Sequence, residues 1–137
     1  MKRIILALTL IFQSFVSINA QHLVSTEIIE TFSPNDLNFI FGYEATFEVE
    51  MYKIIYNTTD AVGDPIIASG AFSRPISNEC TNFPMMMYHH GTTLNKENVP
   101  SRINGESQLS NFFGGIGYYG MAPDYVGMGD SPGLHPY

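Results

Sequence analysis

The spacing of hydrophobic and polar positions changes several times along the chain. From residue 46 to residue 57 they alternate: Phe47, Val49, Met51 and Ile55 share one face, while Glu48 and Glu50 lie on the other with Tyr52, Ile54 and Tyr56. A period of two over this length predicts a half-buried strand. Residues 58–65, with Gly63 among them, carry a turn signal, and residues 66–72 are again strand-like, so the pair predicts a hairpin. Ahead of it, Ser33-Pro34-Asn35-Asp36 is a helix start. Ser33 caps, Pro34 takes the first helical position, where its missing N–H is no loss, and Asp36 reaches back to the cap. Leu37, Ile40 and Phe41 follow at helical spacing, and Gly42 ends the helix.

Beyond Cys80 the pattern changes again. Pro84-Met85-Met86-Met87-Tyr88-His89 is a short unbroken run, the form expected of a strand buried on both faces of a parallel sheet. Leu109, Phe112, Phe113 and Ile116 recur at i, i+3, i+4 and i+7, a helical stripe ended by Gly114 and Gly115. Residues 118–122 form the next strand, closed by Pro123-Asp124. The interval between these strands accommodates a right-handed crossover helix, so an antiparallel hairpin leads into a parallel βαβ unit. The expected fold class is α/β with a mixed sheet of four strands.

Composition narrows the function classes. With 137 residues, 45% of them hydrophobic and 14% charged, the chain has the make-up of one globular domain and not of a disordered segment or a disulfide scaffold. Six basic residues against thirteen acidic give a formal net charge of −7, which leaves no electrostatic footprint for duplex nucleic acid or anionic lipid. Lys2 and Arg3 precede a charge-free stretch over residues 4–18, and Ile18-Asn19-Ala20 supplies a cleavage site. The stretch is interrupted by Gln13 and Ser14 and is shorter than the ~20 apolar residues of a membrane span. Residues 1–20 therefore read as a signal peptide and residues 21–137 as the exported domain, secreted or periplasmic, with no integral membrane segment after cleavage. Cys80 is the one cysteine, which leaves a free thiol, an intermolecular bond, or a partner outside this sequence.

Two motif matches fail on context. Gly115-Ile116-Gly117-Tyr118-Tyr119-Gly120 fits the dinucleotide fingerprint, but it follows a helix and precedes a strand, the reverse of what pyrophosphate binding requires. Gly129-Asp130-Ser131-Pro132-Gly133 fits the nucleophile elbow, in which the residue after the serine donates its amide to an oxyanion. Pro132 has no N–H, and Leu134-His135-Pro136 does not open a helix, so Ser131 is not the nucleophile.

What remains is an ordered set. His90-Gly91-Thr92-Thr93 follows the apolar strand, where a backbone N–H can face a developing oxyanion. Later come Ala122-Pro123-Asp124-Tyr125-Val126-Gly127-Met128-Gly129-Asp130-Ser131 and His135-Pro136-Tyr137. Together these resemble the N-terminal portion of an α/β-hydrolase, and more narrowly the secreted lipase and esterase group with a Y-x-H-G-T strand end and a P-D-Y-x-G-x-G-x-S…H-P-Y loop. Tyr52 to Asp60 resembles that group's first strand, Ala68-Ser69-Gly70 with Pro75 its second, and Val99-Pro100-Ser101 its loop after H-G-T. The resemblance implies an oxyanion loop at His90, Gly91 and Thr92, with the Thr92 amide as donor. It makes Asp124, Tyr125, Gly127, Gly129 and Ser131 a structural active-site loop. It also implies that the nucleophile, acid and histidine of the triad lie outside this chain, so the chain alone would be inactive. His89 stands where the pattern has Gln, and Gly120 where a β-branched residue is usual and where glycine weakens a strand.

The expected function is therefore that of an exported serine hydrolase acting on a carboxylic ester, with no cofactor and no metal. His89 and His90 are poor joint ligands, since neighbours on a strand point to opposite faces. His135 and Asp124 read as structural, because in this fold the triad acid and histidine follow the nucleophile. A serine peptidase of the same fold and a non-enzymatic exported binding protein stand as alternatives. Oligomeric state is not legible.

Overall fold

A computed structural model describes residues 22–79 and 82–136. The expected signal peptide, Cys80 and Tyr137 lie outside the described residues. The elements run β1 (Leu23–Phe32), α1 (Pro34–Phe41), β2 (Glu48–Thr59), β3 (Pro65–Ile76), β4 (Met85–Met87), α2 (Gly105–Gly115) and β5 (Tyr119–Pro123). The five strands form one sheet in the order β1-β2-β3-β5-β4. The first three and the β3–β5 pair are antiparallel, and β4 lies parallel to β5. An antiparallel half thus leads into a parallel βαβ unit, with α2 crossing between β4 and β5.

The hairpin forms where the alternation puts it. Asp60 closes its turn by accepting the amides of Val62 and Asp64 through Oδ1, each at 2.9 Å, and Gly63 takes the left-handed conformation at φ 95°. Helix α1 is built by the residues that signal it. The Ser33 hydroxyl accepts the Asp36 amide, the Asp36 carboxylate accepts the Ser33 amide at 2.9 Å, and Gly42 at φ 67° terminates it.

Three expectations are corrected. Among the described residues the sheet has five strands, because β1 precedes the hairpin and covers the free side of β2. Its register on β2 shifts between Leu23 and Ser25 and again between Ile28 and Glu30. Each shift moves the following side chains to the other face, so the sequence of β1 shows no sustained alternation. Second, among the described residues β4 stands at the edge of the sheet with Met85, Met86 and Met87 60%, 38% and 49% exposed, so these residues alone do not bury it on both faces. Third, the apolar stripe of α2 is not its buried side. Leu109 and Ile116 are exposed and Phe112 and Phe113 only half-buried, while Ser107, Ser110, Asn111, Gly114 and Gly115 are buried.

The last correction has a packing cause. Helix α2 lies so close to the sheet that only small residues fit between them. A Cβ on Gly114 would stand 2.8 Å from both methyls of Val49. Val49 and Met51, fully buried, form the sheet side of this contact. Ser73 on β3 donates to Asn111 Oδ1 at 2.7 Å and lies 3.1 Å from the Ser110 hydroxyl, so the polar atoms in the contact satisfy one another. Gly120, a weak strand residue when taken alone, is required here, because a Cβ at that position would collide with the carbonyl oxygen of Ser110. Gly120→Ala is expected to destabilise the fold by about 3 kcal/mol, at the upper end of overpacking costs, since a helix carbonyl cannot rotate aside. Equilibrium urea denaturation checks this, and an unchanged midpoint would contradict the close-packing account.

Candidate active site

The parallel strands deliver two loops to one end of the sheet. The β4 ladder continues one step beyond Met87, with the Tyr88 amide donating to Met121 O at 2.7 Å, before the chain turns at His90-Gly91-Thr92-Thr93. Strand β5 ends at Pro123 and releases the loop from Asp124 to Ser131. His90, Gly91, Thr92, Thr93, Tyr125, Met128 and His135 line a cavity of about 120 Å³ between these loops. The structure therefore brings the expected oxyanion residues together with Tyr125 and His135. Among the described residues the Thr92 amide has no protein acceptor, and Thr92 is one of the residues lining the cavity.

Asp124 is the anchor of the β5 loop. Its side chain is fully buried. Oδ1 accepts the Ser101 amide at 2.8 Å and Oδ2 accepts the Ser69 hydroxyl at 2.5 Å, while the Asp124 amide donates to Ser69 O at 2.9 Å. One carboxylate thus ties together β3, the segment before α2 and the β5 loop. Ser69 passes the connection on, accepting the Asp130 amide at 2.9 Å. Gly129, at φ 55°, closes over this cluster, where a side chain would collide with the Asp124 carboxylate. The carboxylate meets no histidine. His90 Nε2 lies 3.3 Å from the Asp124 backbone oxygen instead.

Asp130 points the other way, to a surface ion network. Lys53 Nζ lies 2.7 Å from its Oδ2 and Arg102 Nη2 3.3 Å from its Oδ1, and Arg102 also reaches Glu97 at 2.9 Å. Partial burial pushes the Asp130 carboxyl up, but the hydrogen bonds and charges of Lys53 and Arg102 outweigh it and hold the group below the ordinary aspartate range. A carboxyl depressed in the folded protein contributes stability above its unfolded pKa and loses it as pH falls through the folded value. Asp130→Asn is therefore expected to cost stability at neutral pH, by less than about 1 kcal/mol after solvent screening. The difference from wild type should vanish under strongly acidic conditions, in denaturation midpoints measured against pH. A difference that persists undiminished there would remove the ionic explanation.

Tyr125 is the one non-glycine residue with positive φ, 71°, among those described. A bulky residue in that region costs on the order of 1–3 kcal/mol and persists where its surroundings hold it. Here the surroundings are three histidines. The Tyr125 ring stacks on His90 with centroids 4.3 Å apart and lies 6.0 Å from both His89 and His135. Its hydroxyl donates to His90 O at 3.1 Å. His135 Nδ1 approaches Val126 O at 2.7 Å, which fastens the segment carrying His135 back onto the loop. His89 and His90 both lie against Tyr125, and no group of three candidate ligands for a metal occurs among the described residues.

Ser131 is fully buried, and its hydroxyl has no hydrogen-bond partner among the described residues. Its carbonyl accepts Lys96 Nζ at 2.7 Å, and its amide donates to Met128 O at 3.0 Å. A hydroxyl without a base partner and closed to solvent is not placed to attack a substrate. Ser69, Lys53 and Arg102 belong to the supporting structure of the site although nothing in the sequence singles them out for it.

This arrangement is the N-terminal portion of an α/β-hydrolase fold: an antiparallel lead-in, a parallel βαβ unit, and loops converging at the carboxyl ends of the strands. Comparison with solved structures gives the same assignment. The chain resembles a candidate hydrolase from Legionella pneumophila at 30% identity and a TM-score of 0.79, over 85% of this chain and 34% of that one. It also resembles the rice cell wall degrading esterase LipA from Xanthomonas oryzae at 20% identity and a TM-score of 0.72, over 87% of this chain and 33% of that one. The chain thus spans about a third of the length of both structures. No protein-family model and no curated protein sequence matches it. No helix among the described residues is long and apolar enough to cross a membrane.

Proposed function

We propose that these residues form the oxyanion side of the active site of an exported serine hydrolase that cleaves carboxylic esters. The observation that carries the reading is the Thr92 amide, unpartnered among the described residues, on a residue that lines one cavity with His90, Tyr125 and His135. The esterase identity of one structural neighbour supports ester over peptide chemistry. Residues 1–20 serve as the signal peptide, and residues 21–137 belong to the hydrolase domain. The nucleophile, its histidine and its acid fall to the part of the fold that these residues do not cover. In the reaction, a serine hydroxyl attacks the acyl carbon while histidine takes its proton. The carbonyl oxygen becomes an oxyanion held by backbone amides, the alcohol leaves with the proton, and water then releases the acid from the acyl-enzyme.

The test is to assay the protein that carries this sequence on p-nitrophenyl acyl esters and on proline-containing peptides, with and without a fluorophosphonate. Ester turnover abolished by the fluorophosphonate is the expected result. Turnover of peptides alone would replace the esterase with a peptidase, and no turnover of either would favour a binding protein.

A further inference from the structure

Resting on the ester-hydrolase reading above, we infer that Tyr125 and His90 are positioning residues that aim the Thr92 amide at the oxyanion. No described peptide bond is cis, so in each plane the carbonyl and the N–H point in opposite directions. The carbonyl of Gly91 shares its plane with the Thr92 N–H. His90 Nδ1 lies 2.8 Å from that carbonyl oxygen, closer than Nε2 lies to the Asp124 carbonyl at 3.3 Å, and the ring proton is assigned to Nδ1 as the shorter of the two contacts. Holding Gly91 O on the imidazole side turns the Thr92 N–H away from it, toward the cavity that Thr92 lines.

The imidazole must itself be held, and Tyr125 braces both the ring and the backbone of His90. Its ring stacks on the His90 ring at 4.3 Å and 26°, and its hydroxyl donates to His90 O, the carbonyl of the preceding plane, at 3.1 Å. Both planes leading to the donor are therefore fixed by one tyrosine and one histidine. This assigns a task to the unfavourable backbone conformation of Tyr125: at φ 71° its side chain is returned over the neighbouring loop. His90 is 6% exposed, so its imidazole has little contact with water.

The experiment is steady-state ester hydrolysis by the intact enzyme and its Tyr125→Phe variant, alone and combined with Thr92→Pro. Loss of the hydroxyl should lower kcat roughly tenfold or more with KM changed by less than about twofold, because a misaimed donor harms the transition state and not substrate binding. In the Thr92→Pro background, where the amide is already gone, the same change should cost almost nothing further. A kcat unaltered by Tyr125→Phe, or an equal loss in both backgrounds, would overturn the inference while leaving the esterase reading intact. An intact enzyme that hydrolyses no ester would overturn both. If Tyr125→Phe does not fold, His90 decides: His90→Asn retains a donor near Nδ1 and should keep more of kcat than His90→Leu, and equal values would overturn the inference.

Discussion

Replacing Thr92 with proline is expected to lower kcat for ester hydrolysis by about 10²–10³, the usual cost of deleting one oxyanion donor. Proline deletes the N–H together with the threonine hydroxyl and fixes φ, and it leaves a side chain of similar bulk at the exposed edge of the cavity. KM should change little, because the ground-state carbonyl gains far less from that donor than the developing oxyanion does. Proline also restrains Gly91, the residue before it. Thr92→Ala keeps the amide, so the difference between the two variants isolates the N–H. Steady-state kinetics of both on one acyl ester would check this, and equal kcat values would mean that the amide has no part in the reaction.

Asp124→Ala is expected to cost about 3–4 kcal/mol of stability. Two hydrogen bonds to a charged acceptor contribute about 1.5–3 kcal/mol each, and truncation leaves the buried Ser101 amide unpaired. The loss should exceed what the removed volume alone would cause, because three chain segments meet at this carboxylate. Asp124→Asn separates the two effects. Its oxygen can still accept the Ser101 amide, but its NH₂ cannot accept the Ser69 proton, so roughly half of the loss should return. Thermal and urea denaturation give the ordering wild type, Asn, Ala. An Asn variant as stable as wild type would show that the charge has no structural role.

How much of this was legible in the sequence depended on how local each cause is. Helix α1 was readable because Ser33, Pro34, Asp36 and Gly42 act within one turn of one another. The hairpin was readable because its period and its turn residues agree. Strand β1 was not, since its two register shifts erase the alternation, although Val24, Thr26, Ile28, Ile29 and Thr31 supply the β-branched composition of a strand. The stripe of α2 misled for a different reason. Close approach to the sheet selects serine and glycine for the buried face, and a hydrophobic pattern cannot show that.

The site divides along the same line. The loops around His90 and Asp124 stand out as motifs, and their convergence follows from the parallel pairing of β4 and β5. Ser69 lies 55 residues from Asp124, and the bond between them exists only through the antiparallel pairing of β3 with β5. Tyr125 could be placed in the loop from its sequence, but its positive φ and its contact with the His90 carbonyl arise from tertiary packing. No residue-level signal distinguishes it from a tyrosine in an ordinary turn.

The most direct test of the account is the crystal structure of the intact enzyme carrying a phosphonate adduct on its reactive serine. The phosphonyl oxygen takes the place of the oxyanion, and the account predicts it within about 2.7–3.1 Å of the Thr92 amide nitrogen. A phosphonyl oxygen held elsewhere, away from the His90-Gly91-Thr92 loop, or an adduct on Ser131, would contradict it.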